Sequence, residues 1–170
     1  MGEINIDLDV SIVSFIENCH IDLENSIKKI VELIIDNEKI RVDVVSVSIQ
    51  SASKDEIREI NKEYRNIDNF TDVLSFPIFS KDELTDIILQ RDEEKQIKEL
   101  ELGDIILCLD VIKEHSIEYN TGMIREVLYM ITHGMCHLCG YDHIENEDKI
   151  KMRKIEENIL SKIGVDMLNE

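Results

Sequence analysis

Proline is nearly absent: Pro77 is the only one in 170 residues. With hydrophobic residues at 43% and charged residues at 33%, that scarcity excludes a generally disordered chain and leaves a globular, helix-containing protein. Long apolar runs are missing as well. None approaches the roughly 18 residues that a membrane-spanning helix requires. The opening MGEINIDLDV has neither a basic segment nor an apolar signal core, so a cytoplasmic protein with no membrane attachment is expected. Repeats and linker-like composition are also lacking. Residues 1–170 therefore read as one domain, long enough to bury a substantial core.

Cations are in short supply. Lys and Arg number 19 against 37 Asp and Glu, a net charge of −18. This is the wrong sign for tight, non-specific binding to nucleic acid, where phosphate contacts rest on Lys and Arg. Either the substrate is not a polyanion, or a local basic patch and a metal override the global field. The four cysteines are Cys19, Cys108, Cys136 and Cys139. Without a signal peptide they are expected to be reduced. Cys136 and Cys139 form a C-x-x-C, but no second pair exists to complete a structural zinc site. They read as small buried hydrophobes.

The patterning that is present alternates between two periods. Glu3–Asp9 and Val42–Ile49 alternate apolar and polar residues, as half-buried strands do. Asp22 can cap a helix with Leu23, Ile27, Ile30, Val31 and Ile34 on one face. Ser53 and Glu56 form a capping-box pair before a helix whose inner stripe would be Ile57, Ile60 and Tyr64. Asp72–Ile78 predicts a short strand, with Pro77 at an edge or end. Residues 80–101 are mostly charged and predict an exposed loop or peripheral helix. Gly103–Leu109 predicts a strand, followed by helices from about Asp110 and Thr121. A last helix spans about Glu147–Ile163, with Met152, Ile155, Ile159 and Ile163 inward and Gly164 as its stop. The sum is one α+β domain, with a small mixed sheet of about four strands and five to six helices.

Three of the five histidines fall in one eleven-residue string, H-G-M-C-H-L-C-G-Y-D-H, from His133 to His143. His133 and His137 are four apart and share a helix face. Gly140 suits the left-handed position that ends a helix, and the turn can bring His143 back toward the other two. Three converging imidazoles with an open fourth position describe a catalytic zinc site, so one Zn²⁺ is expected. The spacing matches the H-E-x-x-H-x-x-G-x-x-H string of metzincin proteases, except that Gly134 stands where their general-base Glu falls. The metal cradle is kept and the peptidase's proton-handling group is missing.

A second segment, N-K-E-Y-R-N-I-D-N-F-T-D-V-L-S-F-P, spans Asn61–Pro77. Arg65 ends its helix and offers a planar, permanently charged fork suited to phosphate. Lys54, Arg58, Lys62 and Arg65 form one basic stripe. It reads either as a solvated face balanced by Asp55, Glu56, Glu59 and Glu63, or as a track for a phosphate backbone ending at the metal.

Together, the N-x-x-Y-R-x-x-D-x-x-T-D-V-L-S-F-P segment, the G-D-I strand at Gly103–Ile106 and the block Arg125–His143 resemble the YbeY family of bacterial rRNA-maturation endoribonucleases. The blocks lie in the family's order; the ends and residues 80–101 match only in general character. The resemblance implies a small α+β domain with zinc at the end of a cleft. It implies a metal-dependent, single-strand-specific RNase acting in small-subunit rRNA maturation and ribosome quality control. His133, His137 and His143 would be the zinc ligands and Arg65 the key residue on the substrate side, with Arg58 and Lys62 as candidate phosphate contacts. Asp142 and Asp72 are candidate proton acceptors, and Asp142 is the better candidate for orienting a ligand histidine. The implied partners are single-stranded rRNA, ribosomal proteins and assembly factors. Two rival readings are another zinc metallohydrolase and a ribosome-associated assembly factor whose zinc is structural; the acidic surface suits docking onto basic proteins.

Overall fold

The computed structural model describes residues 2–15, 22–89, 98–143 and 145–165. Strand β1 (Glu3–Leu8) leads into the short helix α1 (Val10–Ser14), which Asp9 caps through Ser11 N. Helix α2 (Leu23–Asn37) is capped by Asp22 and buries Ile27, Ile30, Val31 and Ile34. Strand β2 (Val44–Ser51) follows, then helix α3 (Lys54–Arg65) with the Ser53–Glu56 capping box formed in both directions. Strand β3 (Val73–Pro77), helix α4 (Lys81–Leu89) and strand β4 (Glu99–Leu107) come next. Helices α5 (Leu109–Glu118), α6 (Met123–Leu138) and α7 (Asn146–Lys162) complete the order.

The sheet order is β1-β2-β4-β3. β1, β2 and β4 run parallel, and β3 pairs antiparallel with β4 at the edge, with Pro77 opposite Gly103 at its end. A proline there removes no central ladder bond. β2 shows why the sheet is two-sided: Val45, Val47 and Ile49 are buried on one face, and Ser46, Ser48 and Gln50 alternate on the other. The buried face joins α2, α6 and α7 in one large core that includes Leu102, Ile105, Leu128, Ile131 and Ile159. Each such side chain contributes about 1.5–3 kcal/mol on burial, enough in sum to hold together so highly charged a chain. A smaller cluster of Ile57, Leu74, Cys108 and Val111 seats α3 on the opposite side.

The α+β class and four-stranded mixed sheet agree with the sequence reading, with seven helices among the described residues. Three details differ. α1 is an additional helix, made possible by the Asp9 cap. β4 begins at Glu99, four residues before the expected start, because Leu100 and Leu102 turn inward while Glu99 and Glu101 face out. On α3 the inward residue beside Ile57 is Asn61, whose Nδ2 donates to the Asn69 carbonyl at 2.8 Å, and Tyr64 is 65% exposed. Tying down the following turn thus outweighs burial of an aromatic ring. Cys19 and most of the charged 80–101 stretch beyond Leu89 lie outside the described residues.

Candidate metal centre

The histidine string is built on the last turn of α6. Gly140 adopts φ +80°. Its N–H donates to the His137 carbonyl at 2.9 Å and the Tyr141 N–H to the Cys136 carbonyl at 3.0 Å, the paired bonds of a Schellman turn. A side chain at Gly140 would also meet the Lys81 Cβ at 2.7 Å, so the turn needs glycine for two reasons. The reversal returns His143 to the helix end. His133, His137 and His143 then offer ring nitrogens that all lie within 4.8 Å of one another.

The hydrogen bonds around this cluster settle which nitrogens face its centre. His137 Nδ1 is 2.8 Å from the Tyr141 carbonyl, which can only accept, so that nitrogen carries the proton. His133 Nδ1 is 2.8 Å from Glu156 Oε1 on α7. With the carboxylate accepting, both rings present their Nε2 lone pairs inward, and these atoms are 3.1 Å apart. Two lone pairs so close repel unless a cation lies between them. Neighbouring nitrogens of a tetrahedral zinc would be about 3.3 Å apart, given Zn–N bonds of about 2.0–2.1 Å. Donor set, tautomers and spacing therefore fit a metal ion.

Burial, then the neighbouring His133, His143 and Arg65, hold His137 down at about 4, so its ring is neutral at ordinary pH. Glu156 is only 3% exposed. A carboxylate buried against a ligand's far nitrogen fixes the ring and raises its basicity. Tyr141 anchors the turn from outside: its hydroxyl donates to Glu38 Oε1 at 2.6 Å, and Lys81 Nζ lies 4.8 Å from its ring centroid.

Gly134 proves to be a packing residue. A Cβ there would come within 2.9 Å of Ile105 side-chain atoms, so α6 lies against β4 more closely than any other residue permits. Cys136 and Cys139 are free and buried, and burial pushes both thiols well above the ordinary range. Neither belongs to the histidine cluster.

Arg65, exposed at the C-terminal end of α3, has Nη2 3.4 Å from the Ser75 carbonyl on β3 and is close enough to act electrostatically on His137. The rest of the basic stripe makes its ion pairs beyond the helix, while α3's own Glu59 and Asp55 act on Arg58 only through space. Arg58 Nε donates to Asp68 Oδ1 at 2.7 Å, Lys62 Nζ lies 3.3 Å from Asp68 Oδ2, and Lys54 Nζ donates to Glu114 at 2.6 Å. Asp72 is engaged by Thr71, the Val73 N–H and His115. Asp142 lies exposed between Tyr141 and His143. The carboxylate on His133 is Glu156, which sequence reasoning missed. The signal available was a Glu interrupting the apolar stripe of α7.

A three-histidine cluster at the end of α6, with Arg65 of α3 near enough to act on His137, could hold a metal ion of the kind hydrolases use. The comparisons place it further. The family model for endoribonuclease YbeY matches residues 13–164. Proteins named endoribonuclease YbeY from Clostridium botulinum (strain Langeland) and Clostridium perfringens (strain SM101) are 41% and 40% identical over 150 residues. Those alignments cover 85% of this chain and 90% and 89% of the relatives. The solution structure of TM1509 from Thermotoga maritima matches with a TM-score of 0.50 at 26% identity, over 98% of this chain and 99% of that one. The chain belongs to the YbeY family. No described helix is long and apolar enough to cross a membrane.

Proposed function

We propose that the chain is a zinc-dependent, single-strand-specific endoribonuclease of the cytoplasm, acting in small-subunit rRNA maturation and ribosome quality control. The observation that carries this reading is the inward convergence of His133 and His137 Nε2 with His143, beside Arg65, in a YbeY-family chain. His133, His137 and His143 would hold one zinc ion. A zinc ion bound there supplies a Lewis acid and brings the pKa of water toward about 7.

The chain's own residues divide the remaining work. The Tyr141 carbonyl and Glu156 hold the rings of His137 and His133 in one tautomer. Arg65 offsets charge that builds on the phosphoryl oxygens. Arg58 and Lys62 contact flanking phosphates by exchanging Asp68 for the backbone of the strand. Asp142 supports the orientation of the ligand histidine next to it. The net charge of −18 favours reaching rRNA through basic ribosomal proteins and assembly factors over scanning naked RNA.

Metal analysis with cleavage of a small-subunit rRNA precursor tests the scheme. Arg65→Ala should keep the metal and lose cleavage; His137→Ala should lose both. Full metal content and full cleavage in His137→Ala would overturn the scheme. A peptide library assayed in parallel should remain uncut.

A further inference from the structure

A cavity of about 750 Å³ opens between α5, α6 and α7, beside the histidine cluster. Tyr129, Arg153 and Glu156 line both this cavity and the smaller one, about 250 Å³, that contains His133 and His143. The two are therefore neighbours, sharing one wall. On α6, Arg125, Tyr129, His133 and His137 recur every four residues, so one helix stripe runs from the cavity to the metal centre. Arg125 and His133 are eight residues apart, about 12 Å along the axis.

The wall chemistry is that of a nucleobase site. Tyr129 is half-buried, and His115 and Tyr119 pack with ring centroids 5.6 Å apart at the opposite wall. Glu126 is only 5% exposed, lines the cavity, and accepts from Arg125 Nη1 at 2.8 Å. A buried charge pair gains little stability for its desolvation cost, yet this one borders open volume. Thr121 also lines the cavity, and its hydroxyl oxygen is buried just behind the wall without a hydrogen-bond partner among the described residues. Such a group is normally satisfied, by solvent or by a ligand. Phosphate is the wrong ligand here, because Asp72, Glu126, Glu156 and Glu157 outnumber Arg125 and Arg153. A neutral, planar base suits the aromatic walls.

We propose that this cavity receives an unstacked guanine of the RNA strand, from a nucleotide flanking the scissile phosphate; the proposal rests on the endoribonuclease reading above. Guanine presents two adjacent N–H donors beside a carbonyl acceptor on its Watson–Crick edge. The Glu126 carboxylate takes the donors, and the Arg125 guanidinium at its side donates to the carbonyl. A rotamer change at Thr121 would bring its hydroxyl to the base. Tyr129, in the wall shared with the histidine side, stacks on the base.

Titration of the protein with each of the four nucleoside 5′-monophosphates, followed by amide chemical shifts, tests the pocket without any cleavage. Guanosine monophosphate should shift residues around Thr121, Arg125 and Glu126 and bind about tenfold more tightly than the other three. Glu126→Gln should erase the preference. Thr121→Val preserves shape if Glu126→Gln fails to fold, and should weaken guanosine binding alone. Sequencing the products of a random single-stranded RNA pool should show guanosine enriched at one fixed distance from the cut. Equal affinity for all four nucleotides, or shifts confined to the histidines, would overturn the pocket even if RNA is cleaved. Guanosine-selective binding in the cavity with no cleavage of any RNA would instead overturn the nuclease reading.

Discussion

Glu156 Oε1 lies 2.8 Å from His133 Nδ1, joining residues 23 positions apart on two helices. The contact ties α7 to the metal centre and fixes the ring that would donate from Nε2. Glu156→Gln keeps the volume and removes the charge. Metal affinity should fall about tenfold, measured by competition against a chelator. An unchanged affinity would reduce Glu156 to a packing residue.

Arg65 is exposed, with one long contact to Ser75, so its removal should leave the fold intact. Arg65→Ala should lower RNA cleavage by about 10²–10³-fold, the loss expected when a group that stabilises developing charge is deleted. The melting temperature and metal content should be unchanged. Equal loss of metal would mean that Arg65 supports the site and does not serve the substrate.

Gly140→Ala would force a side chain into φ +80° and against the backbone of Lys81. The left-handed conformation alone costs about 1–2 kcal/mol. A drop in melting temperature of at least about 3 °C is expected, with weaker metal binding because His143 leaves the turn displaced. A stable variant with native metal affinity would contradict this account of the turn.

Gly134→Ala opposes two effects. The gain in helix propensity is about 1 kcal/mol, whereas pushing a methyl group into Ile105 costs about 1–3 kcal/mol. Denaturant unfolding should show net destabilisation. Gly134→Glu, which restores the protease-like string, should unfold the chain without conferring peptidase activity.

The Asp9 carboxyl is held at about 2 by the Ser51 hydroxyl first, and by the Ser11 backbone N–H. Its ordinary value is 3.8, so the folded state favours the ionised form. That contribution is fully present above the ordinary value and disappears as pH falls through 3.8 toward about 2. The stability gap between wild type and Asp9→Asn should close across this window in acid titrations of unfolding. A gap that stays constant would remove Asp9 from the acid response.

The sequence disclosed the histidines because their spacing is local: an i, i+4 pair and a glycine-ended helix are written in eleven consecutive residues. Their supports were less legible, because Glu156 and Glu38 reach the site only through tertiary packing. A Glu in a charged helix looks solvated until a neighbouring helix covers it. The strand start at Glu99 was obscured by its charged neighbours, although the Glu-Leu-Glu-Leu alternation carries a period of two. Gly134 was legible as an absent base and not as a contact, since Ile105 is 29 residues away in sequence and adjacent only in space.

Tyr141 sits where three distant parts of the chain meet: its hydroxyl on Glu38 at the end of α2, its ring beneath Lys81 at the start of α4, and its carbonyl on His137. During synthesis Glu38 and Lys81 emerge long before Tyr141. The turn that returns His143 is thus braced by two elements from the first half of the molecule. Metal uptake at the three histidines would then report that α2 and α4 have docked, and an ion held there would act as a proof-reader of the finished fold.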